Sequence, residues 1–454
     1  MKPLGWKIVV VTDVGVDSGE RKRVTAAEAD SWLEAIGANA SVPPRAGAPA
    51  VRMAIAGPEA FAPAAVAAWL GAQNAANDPA AVDAVLHHPS FQRVESAWRG
   101  MKLLLAHVGE RVEVSVTSMP RKGIAARFKE VVFLPEYHDA NPPSLLLLDF
   151  EFGYKGEDLA TLQELGSMAK VLQTPLVAHA SAAFFDFRYL VQISSLGELL
   201  PRLMDNAHAG WKTFQASDPA RWLTLTINRW LQRAPYTAEP GGHDEKCAES
   251  EPDSYLWGRG VWIAGAAVAR SAATHGHGLA IAGAQGGRFD GLATRPYPSK
   301  ANATVPLAVE APFAEMQVME LMRAGFAPVV APMGQDFAML VSAMSVFRLK
   351  PATPTIEGTL AYQLLAGRLA QTCARVLDNL PAGGPAAAVP FIREQLLVML
   401  GSLAGDAPDQ AVQVELREIE TEGVKVPTAA IKVAPKVMLE GKPAEFEFGL
   451  PLGG

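Results

Sequence analysis

The sequence predicts an α/β protein in which mixed sheets are flanked by helices. Nearly continuous apolar runs, such as SLLLLDFEFG at 144–153, are typical of buried parallel strands. These runs alternate with segments of helical periodicity, such as 158–172, which indicates strand–helix–strand units. With 454 residues, 49% of them hydrophobic and 19% charged, the chain is long enough for two or three domains and a large core.

Charge and cysteine content exclude several classes of protein. A formal net charge of -7 provides no positive field for a phosphate backbone, so we expect no nucleic-acid partner. Cys247 and Cys373 lie far apart without metal-binding spacing, which favours a reducing compartment. The N-terminus lacks a signal-peptide pattern, and no apolar stretch reaches the roughly 18 residues of a membrane span. We therefore expect a cytoplasmic protein without membrane insertion.

The N-terminal residues predict one strand and one helix. WKIVVVTDV, residues 6–14, indicates a buried strand because β-branched residues dominate it. A helix is expected at 25–36, where Thr25 and Glu28 have the spacing of a capping box. The stretch 37–49 is rich in proline, glycine and alanine, which predicts a linker.

A helical pattern follows at 79–107, and Pro89 divides it into two helices. Phe91, Trp98 and Met101 recur at helical spacing, so we expect them in the core, with the basic residues available for carboxylates on the opposite side. Further strands are expected at 111–119, 144–153, 175–181, 278–284, 326–333 and 339–347, and further helices at 158–172, 254–275 and 312–324.

The C-terminal part predicts two helices, at 359–380 and 389–403, and then three strands. The segments 411–420, 429–441 and 444–450 each alternate apolar and polar residues. Strands at a chain end can pair with a neighbouring subunit as readily as with their own sheet.

Candidate catalytic and metal-binding residues are few. Asp149 and Glu151 share one face of a strand, as the paired carboxylates of a hydrolase would. His87 and His88 would point about 100° apart on a helix, so they cannot hold one metal ion together. The glycine-rich segment 283–291 lacks the Lys-Ser/Thr pair of a phosphate-binding loop. The residues thus predict no enzyme, metal site or cofactor.

The segment LHHPSFQRVESAWRG at 86–100 resembles a signature helix of the large contractile sheath subunit of type VI secretion systems, which is TssC/VipB-like. The matching residues are His87, His88, Pro89, Phe91, Glu95, Trp98, Arg99 and Gly100. The resemblance continues in the family's order through 149–185, 211–236, 254–287 and 320–348, so that it covers most of 78–400.

The two ends of the chain differ from that subunit. Residues 1–77 are similar to the small sheath subunit (TssB/VipA-like), with a Lys-Ile-x-Val strand and with Glu59, Phe61 and Pro63 echoing its Asp/Glu-x-Phe-x-Pro motif. The C-terminus lacks the family's Arg-Pro-His-Phe-Gln-Leu-Glu segment but keeps a strand pattern. The resemblance implies a small-subunit-like segment at 1–77, a large-subunit core at 78–403 and an interlocking strand region at 404–454.

What the resemblance implies is a structural protein with a contractile tail-sheath-like fold whose terminal strands are donated to neighbouring subunits. It would polymerise around an inner tube in the bacterial cytosol and contract by switching between two packings. The implied partners are other copies of the chain, a small sheath subunit unless this is fused, an Hcp-like tube protein, a baseplate and a ClpV-like AAA+ unfoldase acting through 25–36.

The resemblance also suggests which residues make contacts. The candidate interlocking residues are Val412, Val414, Leu416, Ile419, Ala429, Ile431 and Val433, with Ile8 and Val10 as a second set. Glu315, Glu320 and Arg323 are candidates for a tube-facing surface. Two alternatives stay open: the sheath of a phage-like or extracellular contractile injection system, and a carboxylate-dependent hydrolase using Asp149 and Glu151.

Overall fold

The computed structural model describes residues 4–14, 22–30, 86–236, 249–250, 252–299, 303–421 and 424–452. The strands are β1 Trp6–Thr12, β2 Lys22–Arg23, β3 Val112–Ser118, β4 Leu145–Phe152, β5 Leu176–Ala180, β6 Leu223–Ile227, β7 Trp230–Leu231, β8 Trp257–Gly258, β9 Arg288–Phe289, β10 Arg295–Pro298, β11 Thr304–Leu307, β12 Phe326–Val330, β13 Ala338–Leu340, β14 Val412–Thr421, β15 Val424–Val433, β16 Met438–Leu439, β17 Lys442–Pro443 and β18 Phe446–Pro451.

Helices alternate with these strands along the chain. They are α1 Pro89–Leu105, α2 Ile124–Phe128, α3 Leu134–Tyr137, α4 Gly156–Leu172, α5 Leu190–Ile193, α6 Leu200–Leu203, α7 Ala209–Gln215, α8 Gly260–His275, α9 Gly283–Gly286, α10 Glu315–Ala324, α11 Leu360–Leu377, α12 Pro385–Leu400 and α13 Pro408–Ala411. The protein is therefore mixed α/β, as the sequence predicts.

A nine-stranded sheet organises the chain, in the order β2-β3-β1-β4-β5-β6-β12-β13-β9. The strands from β3 to β12 in this order are parallel to their neighbours, whereas β2, β13 and β9 pair antiparallel at the two margins. The central strands carry apolar side chains on both faces, as expected where helices cover a parallel sheet on both sides.

Two apolar clusters lie on opposite faces of this sheet. Ile8 and Val10 of β1 belong to one cluster, which also contains the buried residues of α8 and α11. Val9 and Val11 belong to the other cluster, which contains the apolar face of α4 and several phenylalanines. Since adjacent strand residues point to opposite faces, the run of four apolar residues in β1 contributes to both layers.

Helix α8 lies very close to the sheet because small residues line it. A Cβ atom added at Gly265 would lie 2.4 Å from Leu147 Cδ1 of β4. A Cβ atom at Gly260 would lie 2.9 Å from Thr226 of β6. The glycine and alanine residues of α8 thus allow a close helix–sheet approach that larger side chains would prevent.

Most of the predicted elements are present, but the strand expected at 339–347 is limited to β13, and the segment 278–284 is not a strand. It forms turns and the short helix α9. Ser271 Oγ donates to His277 O (2.6 Å) and accepts from Ala280 N (3.0 Å), so a side chain satisfies backbone groups that a strand would pair. Leu279 and Ile281 are buried, and their alternation explains the incorrect prediction.

The predicted N-terminal helix is described at residues 26–30 only. Its capping box is present: Thr25 N donates to Glu28 Oε2 (3.0 Å), and Glu28 N donates to Thr25 Oγ1 (3.3 Å). The remainder of the helix predicted at 25–36 lies outside the described residues, as do Glu59, Phe61 and Pro63.

The last three long strands form a separate sheet in the order β14-β15-β18. It packs against α12, and its Phe446 ring stacks on Tyr362 of α11 at 4.7 Å between centroids. By length and composition alone, the apolar segment Pro385–Ala404, which contains α12, could cross a membrane, although the sequence analysis finds no such stretch. One face of α12 packs against β14 and α11, and 33% of the apolar window is buried.

Candidate functional site

Residues near both ends of the segment 86–100 fix helix α1 in the core. His88 caps the helix, because its Nδ1 accepts a hydrogen bond from Ser90 N (3.2 Å). Phe91 is 1% exposed and therefore lies in the core as predicted. A Cβ atom at Gly100 would lie 2.4 Å from the ring of Trp262, so a glycine is needed where α1 crosses α8.

Glu95 and Arg233 form the centre of a buried ion-pair network. Glu95 Oε1 accepts from Arg99 Nε (2.8 Å) and Arg233 Nε (3.2 Å). Arg233 also donates to both carboxylate oxygens of Glu249, each at 2.7 Å. His87 Nε2 lies 3.0 Å from Glu249 Oε1. The network connects α1 to the chain after β7 and to Glu249.

The network favours the charged forms of Arg233 and Glu249. Burial acts to lower the pKa of Arg233, but the carboxylates of Glu95 and Glu249 outweigh it and raise that pKa. Burial acts to raise the pKa of Glu249, but hydrogen bonds from His87 and Arg233 outweigh it and lower that pKa. The motif residues therefore fix two chain segments in place.

A second network lies near the carboxyl end of β4, where Asp149 is 4% exposed. Asp149 accepts hydrogen bonds from Thr12 Oγ1 (3.0 Å), Arg259 Nη1 (3.1 Å) and Trp262 Nε1 (3.1 Å). Glu151, the other candidate of the hydrolase alternative, lies 3.5 Å from Arg259 Nε. The two carboxylates thus share one arginine.

Arg229 extends this network to a third carboxylate. Its Nη1 lies 3.9 Å from Glu151 Oε1, and its Nε donates to Glu310 Oε2 (2.6 Å). Burial acts to raise the pKa of Glu151, but Arg229 and Arg259 outweigh it and lower that pKa. A general acid of a glycosidase needs a raised pKa. The lowered pKa of Glu151 therefore opposes a role for this residue as the general acid of a hydrolase.

The C-terminal sheet divides the predicted interlocking residues into two groups. Buried residues face α12 or the neighbouring strands; they are Val412, Ala429, Ile431 and Val433, with Val414 half-buried. Leu416 and Ile419 are each 45% exposed near the far end of β14. Among the described residues, β14 and β18 each pair with β15 on one edge only. The outer edges of both strands are therefore available for main-chain pairing.

The second set of interlocking candidates is wrong, because Ile8 and Val10 lie in the middle of the large sheet. Strand β1 pairs with β3 from Trp6↔Val112 to Thr12↔Ser118 and with β4 from Ile8↔Leu145 to Val11↔Leu148. Both edges of β1 are occupied within the chain, which leaves no edge for a neighbouring subunit.

The tube-facing candidates on α10 do not share one environment. Glu320 is 8% exposed, and its Oε2 accepts a hydrogen bond from Leu199 N (2.7 Å), the residue that precedes α6. Glu320 therefore caps the N-terminus of α6 from a buried position, so it cannot face an inner tube. Glu315 and Arg323 are exposed, and the same helix exposes Met316 and Met319 at 62% and 53%.

The sequence analysis did not select the basic members of the two networks. Arg229, Arg233 and Arg259 have partners 81, 138 and 110 residues away, respectively, so no local spacing reveals them. A weak signal was present for Arg259, which interrupts the apolar stretch before α8. Among the described residues, no group of three or more His, Cys, Asp or Glu side chains is arranged to hold a metal ion.

Two sequence comparisons find proteins that are similar to this chain. The model of the family VipB (EvpB/VC_A0108, tail sheath N-terminal domain) matches residues 79–347. The type VI secretion system sheath protein TssC1 of Pseudomonas aeruginosa is 25% identical over 314 residues, which are 64% of this chain and 63% of that protein. The match thus spans less than two thirds of that relative.

Two solved structures are similar at low sequence identity. The sheath tail protein Lin1278 from Listeria innocua is 10% identical with a TM-score of 0.38, over 73% of this chain and 60% of that chain. A chain of the anti-feeding prophage baseplate is 11% identical with a TM-score of 0.43, over 98% of this chain and 94% of that chain.

Proposed function

Because the chain belongs to the VipB family of tail sheath proteins, we propose that it is a structural subunit of the contractile sheath of a type VI secretion system. In this role it polymerises around an inner tube and contracts to propel the tube into a target cell. The family match to residues 79–347, more than half of the chain, carries the proposal. The name of the Pseudomonas aeruginosa relative supports it.

The buried networks support a structural role and not a catalytic one. Asp149 and Glu151 are engaged by Arg259, and the lowered pKa of Glu151 keeps it ionised. His87 and Glu95 of the signature helix likewise stabilise contacts between segments. We therefore propose that the chain acts as a rigid building block whose contraction uses energy stored at assembly.

Subunit contacts are proposed at the outer edges of β14 and β18. A helical sheath needs contacts between two different surfaces that repeat along an open polymer. An unpaired strand edge offers such a contact, because a neighbouring strand can add to it by main-chain hydrogen bonds. Leu416 and Ile419 would add apolar contacts beside the edge of β14.

The N-terminal segment is proposed to take the part of a small sheath subunit within the same chain. The proposed division is 1–77 for this segment, 78–403 for the large-subunit core and 404–454 for the interlocking strands. Strand β1 supports this proposal because it lies between β3 and β4 of the core, so that one polypeptide supplies the whole sheet.

Further partners follow from the sheath role. We propose an Hcp-like inner tube contacted through the exposed Glu315 and Arg323, a baseplate, and a ClpV-like unfoldase acting on 25–36. If the chain is not self-sufficient, a separate small subunit would join it. The proposed location of the assembly is the bacterial cytosol.

Electron microscopy of the chain expressed alone, and then with a neighbouring small-subunit gene, tests the proposal. Tubules from the chain alone would indicate a self-sufficient sheath, and tubules only with the partner would indicate a two-component sheath. Dispersed monomers under both conditions would contradict the sheath role. A hydrolase assay of the wild type and of an Asp149→Asn variant would then test the alternative.

A matched pair of variants tests the proposed edge contact. Leu416→Lys combined with Ile419→Lys places two charges beside the edge of β14 and should abolish tubules, since both side chains are already exposed and the monomer can fold. Leu349→Lys changes another exposed leucine, at 65% exposure, and should leave tubules intact. Equal loss of tubules in both would remove the assignment to β14.

A further inference from the structure

A cavity of about 990 Å³ lies at the N-terminal end of β1, next to the C-terminal ends of α8 and α12. This volume is at the upper end of the range of small-molecule sites, roughly 300–1,000 Å³. Apolar side chains contribute to the lining, among them Trp6, Leu364, Val398 and Met399, which together are called the apolar wall. The cavity belongs to neither of the buried networks described above.

Arg368 of α11 lines the cavity and is 5% exposed. The acceptors of its hydrogen bonds are neutral: Gln371 Oε1 (3.1 Å from Nη1) and Leu4 O (2.7 Å from Nη2). No carboxylate of the described residues forms an ion pair with it. Burial lowers its pKa to about 10, with the positive charge of Arg375 adding to the effect. A buried guanidinium without a counter-ion is unfavourable.

Arg348 is another buried arginine that has no carboxylate partner among the described residues, and backbone carbonyl groups accept its hydrogen bonds instead. Its guanidinium donates to the carbonyl oxygens of Met322 and Arg323 at the C-terminal end of α10, and to those of Ser345 and Phe347 after β13. Arg348 thus bonds to four carbonyl groups. Arg368 has two neutral acceptors and lies over the Trp6 ring at 5.6 Å from its centroid. It also borders an open cavity, so part of its donor capacity is left for a ligand.

The described lining of the cavity carries more arginine than carboxylate side chains. Arg23 and Glu113 neutralise each other, with Nη2 and Oε2 at 2.6 Å. Among the described residues that line the cavity, Arg111 and Arg368 are then accompanied by one further carboxylate, that of Glu110. His275 and His277 also line the cavity and contribute no negative charge. The described lining therefore combines a net positive charge with apolar side chains.

We propose that this cavity binds a small organic anion that carries one carboxylate on an apolar body. Arg368 is the counter-ion of the carboxylate, and Arg111 adds attraction at the rim. The apolar body packs on the wall formed with Val398 and Met399. A strongly hydrated inorganic anion would leave that wall exposed to water, and an uncharged molecule would leave Arg368 without a counter-ion.

Calorimetric titration of the full-length chain with decanoate tests this site, with acetate, inorganic phosphate and 1-decanol as comparison ligands. Decanoate should bind at least about tenfold more tightly than each of the three, because only it satisfies the arginine and the wall together. Arg368→Gln and Arg111→Gln should each weaken decanoate binding, Arg368→Gln by about tenfold or more. Arg417→Gln, at an exposed position outside the lining of the cavity, should leave decanoate binding unchanged.

Because Arg368→Gln also removes the bond to Leu4 O, the exposed Val398→Glu variant provides a second test. It places a carboxylate at the wall and should suppress decanoate binding while the unfolding temperature is kept. Equal binding of decanoate by the wild type and all variants would overturn the proposal. So would self-association of the chain that depends on Arg368 without any binding of decanoate, since an acidic segment of another copy would then be the occupant.

Discussion

Arg233 and Arg259 illustrate how single side chains join distant parts of this protein. Each guanidinium contacts two carboxylates, Glu95 and Glu249 for Arg233 and Asp149 and Glu151 for Arg259. Such groups are hard to replace singly, because removing one member leaves the others charged and buried. The role of Glu95 in the motif of α1 therefore depends on Arg233, which lies 138 residues away in the sequence.

Replacing Arg233 by methionine is expected to lower the free energy of unfolding by about 3–5 kcal/mol. The reason is that Glu95 and Glu249 would remain buried without their shared cation. Urea unfolding followed by circular dichroism measures the change. Arg417→Met provides the control, since Arg417 pairs with Glu415 at an exposed position and should have no measurable effect. Similar unfolding midpoints for both variants would contradict the importance of the network.

His179 predicts a dependence of stability on pH. Burial lowers its pKa from 6.5 to about 3, although the charge of Glu151 opposes the shift. The unfolded chain therefore binds a proton more readily, so the stabilisation is complete above pH 6.5 and is lost as the pH falls towards the folded-state pKa. Urea midpoints at pH 7, 6 and 5 should fall less steeply for His179→Gln than for the wild type. Parallel curves for the two proteins would exclude this contribution of His179.

At the level of elements, β1 is the feature that joins the N-terminal segment to the remainder of the chain. Besides its two ladders, its Lys7 Nζ lies 2.8 Å from Glu136 Oε2 and 2.9 Å from Asp139 Oδ2. Further along, Asp30 pairs with Lys102 of α1 at 2.6 Å. The described residues 4–14 and 22–30 are thus tied to the core by strand pairing and ion pairs.

Deleting residues 1–30 is expected to prevent the core from folding. The deletion exposes the facing edges of β3 and β4 and leaves the buried Glu136 without Lys7. Soluble yield and the cooperativity of thermal unfolding measure the effect, and a separately supplied peptide of residues 1–30 should restore both. A deletion variant that unfolds cooperatively at the wild-type temperature would show that β1 is dispensable.

Local patterns in the sequence predicted many of these elements but not which strands lie next to each other in the sheet. The apolar run of β4 and the alternation of β14 are visible because each depends on nearby residues only. The position of β1 between β3 and β4 depends on pairing over more than a hundred residues, which no local period encodes. Glu320 was misplaced on the surface for the same reason, since its partner Leu199 is 121 residues away.

On the scale of the whole molecule, an α/β core carries a small appended sheet, and two edges of that sheet are unpaired among the described strands. The core is stabilised by apolar layers on both faces of the large sheet and by buried ion pairs. The appended sheet shares the core through α12 but presents Leu416 and Ile419 to solvent. A polymer built from such subunits can change its helical packing at the edges while each core stays intact.

The sheet order also determines when the protein can fold during its synthesis. Strand β1 leaves the ribosome first, yet its two neighbours in the sheet begin at Val112 and Leu145. At roughly 5–20 residues per second, translation takes on the order of ten seconds to deliver both. Throughout that interval the nascent chain carries Ile8–Val11 without the strands that will cover them. Cells producing this protein must therefore protect a short apolar segment from aggregation before its fold can close around it.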